Sequence, residues 1–409
     1  MNLSVDNVLS EQESMLRDEQ LQILTSSLFK HSIKNASQNP NVRLYDSFSH
    51  LIPHTVEPFN QHKTGTCWLQ AGVTMLSMCS KSKSINFKPS VTFLMFFDKL
   101  EKCAVFLQRC LDKNDERVLY HMLDEPLYDG GSWSMFVHLI EKYGVVPFES
   151  YPQTFQAKHT AQLNKVLNQY LRKICFQVTE NNINVYLSNI HRILMACLAC
   201  PPTTATFTKS KNGIDFTGSP QELYKRIDVN LKNYICLNHA PNKIMNQKYA
   251  IWHSNDFTKL SQHAFHVMDL NTLKSACIQC LKLHIPIWFT ANVPGGADFS
   301  RSLMECDAID YELVFGIKDN KNKDYLMNCH FIKPRHAMLI IGVDLQSEKQ
   351  RWKVQNSWGE KNAFLTMSDE WFDENVFEVA VPISCAPNLD IFSEIIQLPP
   401  WDILSTVAL

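Results

Sequence analysis

Long hydrophobic runs are missing from this chain. No stretch approaches the roughly 20 apolar residues that a membrane helix needs, and the longest, such as Ala337 to Val343, have strand length. Met1 to Gln20 is polar and acidic, with neither a basic start nor an apolar core, so it does not read as a secretory signal. An excess of one charge is missing too. The 39 Lys and Arg against 41 Asp and Glu leave a formal net charge of -2, which removes any global pull toward nucleic acid or an anionic membrane. The 13 cysteines are odd in number and lack framework spacing. Reduced thiols, and hence a cytoplasmic protein, are the expectation.

Signals for cofactors and metals are equally thin. Gly295-Gly296 lacks the spacing of a phosphate loop. The pairs Cys197-x-x-Cys200 and Cys277-x-x-Cys280 fall inside apolar helical patterns, where i, i+3 spacing means one buried face rather than a zinc site. Lys318 to Lys323 alternates with Asp and Asn and has no aromatic interleaving, so it reads as a solvated loop. No cofactor and no metal is predicted, and nucleic acid has no support from charge.

What is present is a large, ordinary apolar fraction, 45%, in a chain longer than one compact domain of roughly 100 to 200 residues. Residues 1–58 predict a helical extension. Within 59–155, a helix is expected from Cys67, behind the turn Lys63-Thr64-Gly65-Thr66. A second follows Pro89-Ser90, with Phe93, Phe96, Phe97, Leu100, Cys103, Phe106, Leu107 and Cys110 at i, i+3, i+4, i+7 spacing. A third covers 133–143. The pattern stays helical over 156–285, then 286–390 turns to short β-rich runs: 286–291, 336–343, 351–357, 364–367 and 376–381. A tail, 391–409, closes the chain. Helices early and strands late predict an α+β fold of two packed subdomains with a site between them.

Three segments carry chemistry. Cys67 opens a helix, where unpaired N–H groups and the positive dipole end favour a thiolate. Gln61, six residues upstream, can join the Cys67 N–H in holding an oxyanion. His336 leads the strand His336 to Val343, and Asn356 ends the next run, followed by Ser357-Trp358-Gly359. Neighbouring antiparallel strands would set Asn356 against His336, orienting the imidazole for the thiolate. Trp358 would cover that bond, with His330 as a competitor for the histidine role.

These boxes, in this order, resemble the papain superfamily. Asp129-Gly130-Gly131-Ser132-Trp133 is similar to its Gly-Gly wall, whose backbone pairs with substrate. Here His336 and Asn356 lie roughly 270 to 290 positions after Cys67, against roughly 130 to 150 in papain-type enzymes, so a domain-sized insertion is implied. That insertion, with Phe93 to Cys103, Glu141 to Pro147, Tyr311 to Gly316, Met367 to Phe372 and Leu398 to Asp402, resembles the bleomycin hydrolase family over roughly residues 50–409.

The resemblance implies a papain-like two-subdomain cysteine peptidase fold with a large helical insertion at 156–285, used in subunit contacts of a homohexamer. It implies an intracellular aminopeptidase acting on peptides with a free amino terminus, and on bleomycin and homocysteine thiolactone; some members bind nucleic acid. Site residues carried over are Cys67, His336, Asn356 and Gln61, shielded by Trp68 and Trp358, with Asp129, Gly130, Gly131 and the terminal Leu409 meeting substrate. The tail would enter the cleft and hold the substrate's ammonium through its carboxylate, with trimming of Leu409 to Ala408 by the enzyme itself as a further expectation. Rival readings are a nucleic-acid-binding or catalytically silent homologue. Departures from relatives are Gln70 in place of an aromatic residue and Arg335 before the histidine, a cation expected to depress the imidazolium.

Overall fold

The computed structural model describes residues 4–53, 55–82, 87–112, 116–207, 216–251, 264–293, 296–316, 322–386 and 394–405. Two short helices, Val5–Met15 and Glu19–Leu28, begin the chain and bury no side chain. The Cys67 helix, Cys67–Ser82, then runs through the middle of the core, with Trp68, Leu69, Val73 and Leu76 fully buried. Beside it lies the long helix Val91–Leu111. Ser90 starts that helix by accepting the Phe93 N–H at 3.4 Å, and Asp112 ends it in an extended conformation. The wall helix Trp133–Tyr143 begins on Ser132, which accepts the Met135 N–H at 3.3 Å. It ends at Gly144, whose φ of +75° suits glycine. Phe97 of the long helix stacks on Tyr143 at 3.8 Å between centroids, so the two helices share an apolar seam.

The β-rich half is one strongly buried sheet. Its centre is Val376–Pro382, Ile287–Ala291, the histidine strand His336–Asp344, the asparagine strand Arg351–Gln355, and Phe364–Ser368, in that lateral order. Neighbours in this series are antiparallel. All nine residues of the histidine strand are buried, which is why its sequence reads as a continuous apolar run rather than an alternating one. The Cys67 helix packs across it, and the Trp288 indole N–H reaches the Trp68 carbonyl at 3.1 Å. That bond ties the first turn of the helix to the sheet.

The inserted region differs in part from the helical expectation. Helices Thr160–Ile174 and Ile183–Leu198 pack against the long helix as expected. Beyond Leu198 the region also forms strands, and three of them, Tyr234–Asn238, Gln247–Ile251 and Ala264–Val267, extend the main sheet. These strands are four or five residues long and only half-buried at their starts, too short to impose a period of two on the sequence. The tail strand Ile395–Leu398 then adds in parallel to Gln247–Ile251 at the sheet's edge.

Candidate active site

Cys67 is the first helical residue and is 1% exposed. Its sulfur accepts the backbone N–H of Ala337 at 3.4 Å, so the thiol is seated against the residue that follows His336. Sequence reasoning missed this contact, because it depends on how the helix crosses the strand. The expected low thiol pKa is also corrected. Burial pushes the Cys67 thiol up to about 11, and the N–H groups of Ala337, Trp68 and Cys67 offset that only in part. The helix start pulls in the expected direction but desolvation is the larger effect.

His336 is likewise buried, and burial pushes its imidazole down to about 4 against the raising effect of Asn356. Arg335 is exposed and does not supply that depression. The ring Nε2 lies 2.8 Å from Asn356 Oδ1. The same Oδ1 accepts the Ser357 N–H at 2.8 Å, which fixes the amide with its oxygen toward the ring. Since that oxygen only accepts, Nε2 carries the proton in the neutral ring and Nδ1 keeps its lone pair. Trp358 lies over the imidazole, 4.8 Å between centroids, and excludes water from the bond. His330 stands instead in an exposed turn after the helix Lys323–Asn328, at φ +58°.

The upstream box is zipped to the asparagine box. Gln61 N–H donates to the Ser357 carbonyl at 2.8 Å, and Gly359 N–H to Phe59 at 3.2 Å. Ser357 Oγ donates to Gln61 Oε1 at 2.7 Å, which turns the Gln61 amide nitrogen the other way. That nitrogen donates one hydrogen to the Thr64 carbonyl at 2.9 Å. Its second hydrogen remains for a ligand, beside the loop that leads to Cys67.

The wall meets the helix from the opposite side. Trp68 is completely buried and donates its indole N–H to the Asp129 carbonyl at 2.8 Å. It therefore holds the wall rather than covering the site, a change from the shielding role expected of it. A Cβ on Gly131 would stand 2.4 Å from the Trp68 ring, so the glycine serves this close approach. Asp129 is corrected as well: its carboxylate turns inward. It pairs with Lys99 Nζ at 2.5 Å, accepts from Asn164 at 2.8 Å and from Thr160, and accepts the Gly65 N–H at 3.0 Å. Burial alone would push that carboxyl up, but Lys99 and these donors hold it well below the usual range. Its side chain is thus committed to the protein rather than to substrate.

The buried charges behind the wall, Asp98, Lys99 and Lys102, lie in a helix read mainly for its long apolar stripe. The signal was available, since Asp98 and Lys102 at i, i+4 interrupt the apolar face of the long helix. The tail is tied down as far as Ser405. Lys243 Nζ pairs with Asp402 at 2.6 Å, Arg117 stacks over Trp401 at 3.9 Å, and Ile403 and Leu404 are buried. Leu409 lies outside the described residues.

Comparison with known proteins matches this arrangement. Residues 2–405 match the family model described as the Peptidase C1-like family. Aminopeptidase C of Listeria monocytogenes is 31% identical over 418 residues, covering 95% of each chain. Human bleomycin hydrolase is 29% identical over 402 residues, covering 88% of each. The crystal structure of PepW from Lactobacillus rhamnosis HN001 superposes with a TM-score of 0.91 at 25% identity, over 100% of this chain and 99% of that one. With its papain-like α+β fold, the chain belongs to the Peptidase C1-like family, in the group of bleomycin hydrolase and aminopeptidase C, and is a cysteine-type aminopeptidase.

Proposed function

We propose that Cys67 is the nucleophile, His336 its base and later acid, and Asn356 the residue that orients the imidazole. The observation that carries this is the doubly anchored Asn356 oxygen, which leaves His336 Nδ1 unprotonated, while the thiol at the helix start is seated on the N–H of the next residue, Ala337. Both groups are neutral at rest, so the proton passes from Cys67 to His336 as the sulfur attacks the carbonyl of the first peptide bond. The Cys67 N–H and the second Gln61 amide hydrogen stabilise the oxyanion. As the intermediate collapses, the C–N bond breaks and His336 returns the proton to the leaving amine. Water, deprotonated by His336, then cleaves the thioester.

Selectivity for a free amino terminus is assigned to the tail. The tail is anchored through Ser405, and a terminal carboxylate held in the cleft would pair with a substrate ammonium. The test is turnover of aminoacyl fluorogenic substrates with free and with acetylated amino groups, before and after deletion of Ser405–Leu409. A truncated enzyme that still demands the free amine removes the tail from the reading, while full activity in Cys67→Ala removes the nucleophile. Mass spectrometry of wild type against Cys67→Ala reads trimming of Leu409 separately. The peptide bond is the primary substrate; bleomycin and homocysteine thiolactone follow as tests of breadth, by competition for the same turnover. A cytoplasmic setting is supported by thirteen cysteines that all remain free thiols.

A further inference from the structure

Four charged side chains are buried directly behind the wall: Asp98 and Lys102 at 2.8 Å, and Lys99 and Asp129 at 2.5 Å. Buried pairs of this kind contribute little net stability, since desolvation offsets their attraction. The Asp98–Lys102 pair shows that cost directly. Burial pushes the Asp98 carboxyl up to about 6 and the Lys102 ammonium down from its ordinary value. Asp98 Oδ1, moreover, is buried without a hydrogen-bond partner. An apolar pair of the same volume would fill the space at lower cost, so the reason for the charges lies in what they touch.

Lys102 touches the wall. Its Nζ donates to the Tyr128 carbonyl at 3.1 Å and to the Gly130 carbonyl at 2.6 Å, and it lies over the Tyr128 ring at 4.4 Å. Between those two carbonyls, the Asp129 carbonyl takes the Trp68 indole N–H at 2.8 Å. Three successive carbonyls are therefore gripped from behind by buried donors, and the orientation of the Gly130–Gly131 peptide is fixed. Asp98 holds the ammonium on its remaining side. The sulfur itself rests on the Ala337 N–H.

We propose that Asp98 and Lys102 form a positioning pair for substrate: they set the Gly130–Gly131 peptide at the angle needed to pair with the substrate backbone. This rests on the peptidase reading above, in which that wall meets the substrate. A device that orients a binding surface acts on ground and transition states alike, so its loss raises KM more than it lowers kcat. A device that serves stability alone leaves KM of the folded enzyme unchanged.

The experiment is the double substitution Asp98→Leu with Lys102→Met, which removes both charges and leaves neither unpaired. Steady-state kinetics on an aminoacyl fluorogenic substrate is read beside the rate at which iodoacetamide labels Cys67, located by peptide mapping. The expected result is KM up by roughly tenfold or more, with kcat and the Cys67 labelling rate within about twofold of wild type. An unchanged KM, whatever happens to Tm, overturns the proposal. So does a labelling rate that falls in step with kcat/KM, because the pair would then be holding the nucleophile. Lys102→Gln, which can bond Asp98 but not span both carbonyls, serves as a second variant with the same readouts. Wild-type turnover that survives Cys67→Ala would instead mark failure of the underlying peptidase reading.

Discussion

At the scale of single residues, burial governs the chemistry. Cys67 and His336 are held neutral by desolvation, one near 11 and the other near 4. Moving the proton between them leaves the number of bound protons unchanged, so the reactive pair persists between those limits. The acid limb of kcat/KM is therefore expected well below 6.5, the ordinary histidine value, and activity should persist at pH 5. A limb centred at 6.5 in the pH profile would contradict the buried imidazole. Two exposed thiols, Cys200 and Cys329, will react with alkylating agents at alkaline pH. At pH 5 to 6, peptide mapping should find Cys67 labelled first, because the neutral His336 imidazole is assigned to take its proton. Asn356→Ala removes the oxygen that fixes the ring and should lower kcat/KM by roughly 100-fold or more while the thiol is retained. Gly131→Ala places a methyl in the Trp68 ring and should destabilise by roughly 1–3 kcal/mol, read as a lower denaturation midpoint.

At the scale of elements, what was legible in the sequence follows from how each element is stabilised. The helices from Cys67, after Ser90 and over 133–143 declare themselves by caps and spacing, and all three form where expected. The five expected late runs also form strands: His336–Asp344 shows itself as a continuous buried apolar run, whereas Arg351–Gln355 shows itself by alternating Trp352 and Val354 with polar residues. The boxes brought together at the candidate site were legible for a different reason: Gln61, Cys67, His336 and Asn356 are chemically unusual at their positions. Illegible were features made by crossing rather than by period. The Ala337 N–H on the sulfur, the inward turn of Asp129 and the grip of Lys102 on Gly130 all join segments far apart in the chain. The short strands after Leu198 were missed because their register comes from pairing with neighbours, not from their own residues.

At the scale of the whole molecule, assembly and acid stability are the open quantities. The inserted region leaves Phe176 and Val185 largely exposed, apolar side chains of the kind a subunit contact can cover. This supports the homohexamer proposed from the family, and light scattering should report a particle near six times the 47.1 kDa protomer. A monomer at micromolar concentration would refute it. Stability against acid follows from the titrating groups. His239, His266 and His336 are each pushed by burial to about 4, below the unfolded value of 6.5. The unfolded chain thus binds protons first as pH falls, and stability is lost between 6.5 and 4. Two carboxyls oppose this: burial raises Glu378 to about 7 and Asp98 to about 6, so the folded chain keeps protons there that the unfolded chain releases. Three histidines against two carboxyls leave a net difference of one proton near pH 5, a shallow slope of about 1.4 kcal/mol per pH unit. Below about pH 4.5 the balance changes. Glu101 and Asp344, held near 2 by their hydrogen-bonded partners despite the burial that opposes them, must then be protonated on unfolding, together with Asp129. Every one of these groups now favours the unfolded chain as pH falls. Thermal unfolding followed from pH 7 to pH 3 should show Tm declining gently to about pH 4.5 and steeply below it. A Tm that stays level down to pH 3 would contradict the buried histidines and the paired carboxylates together.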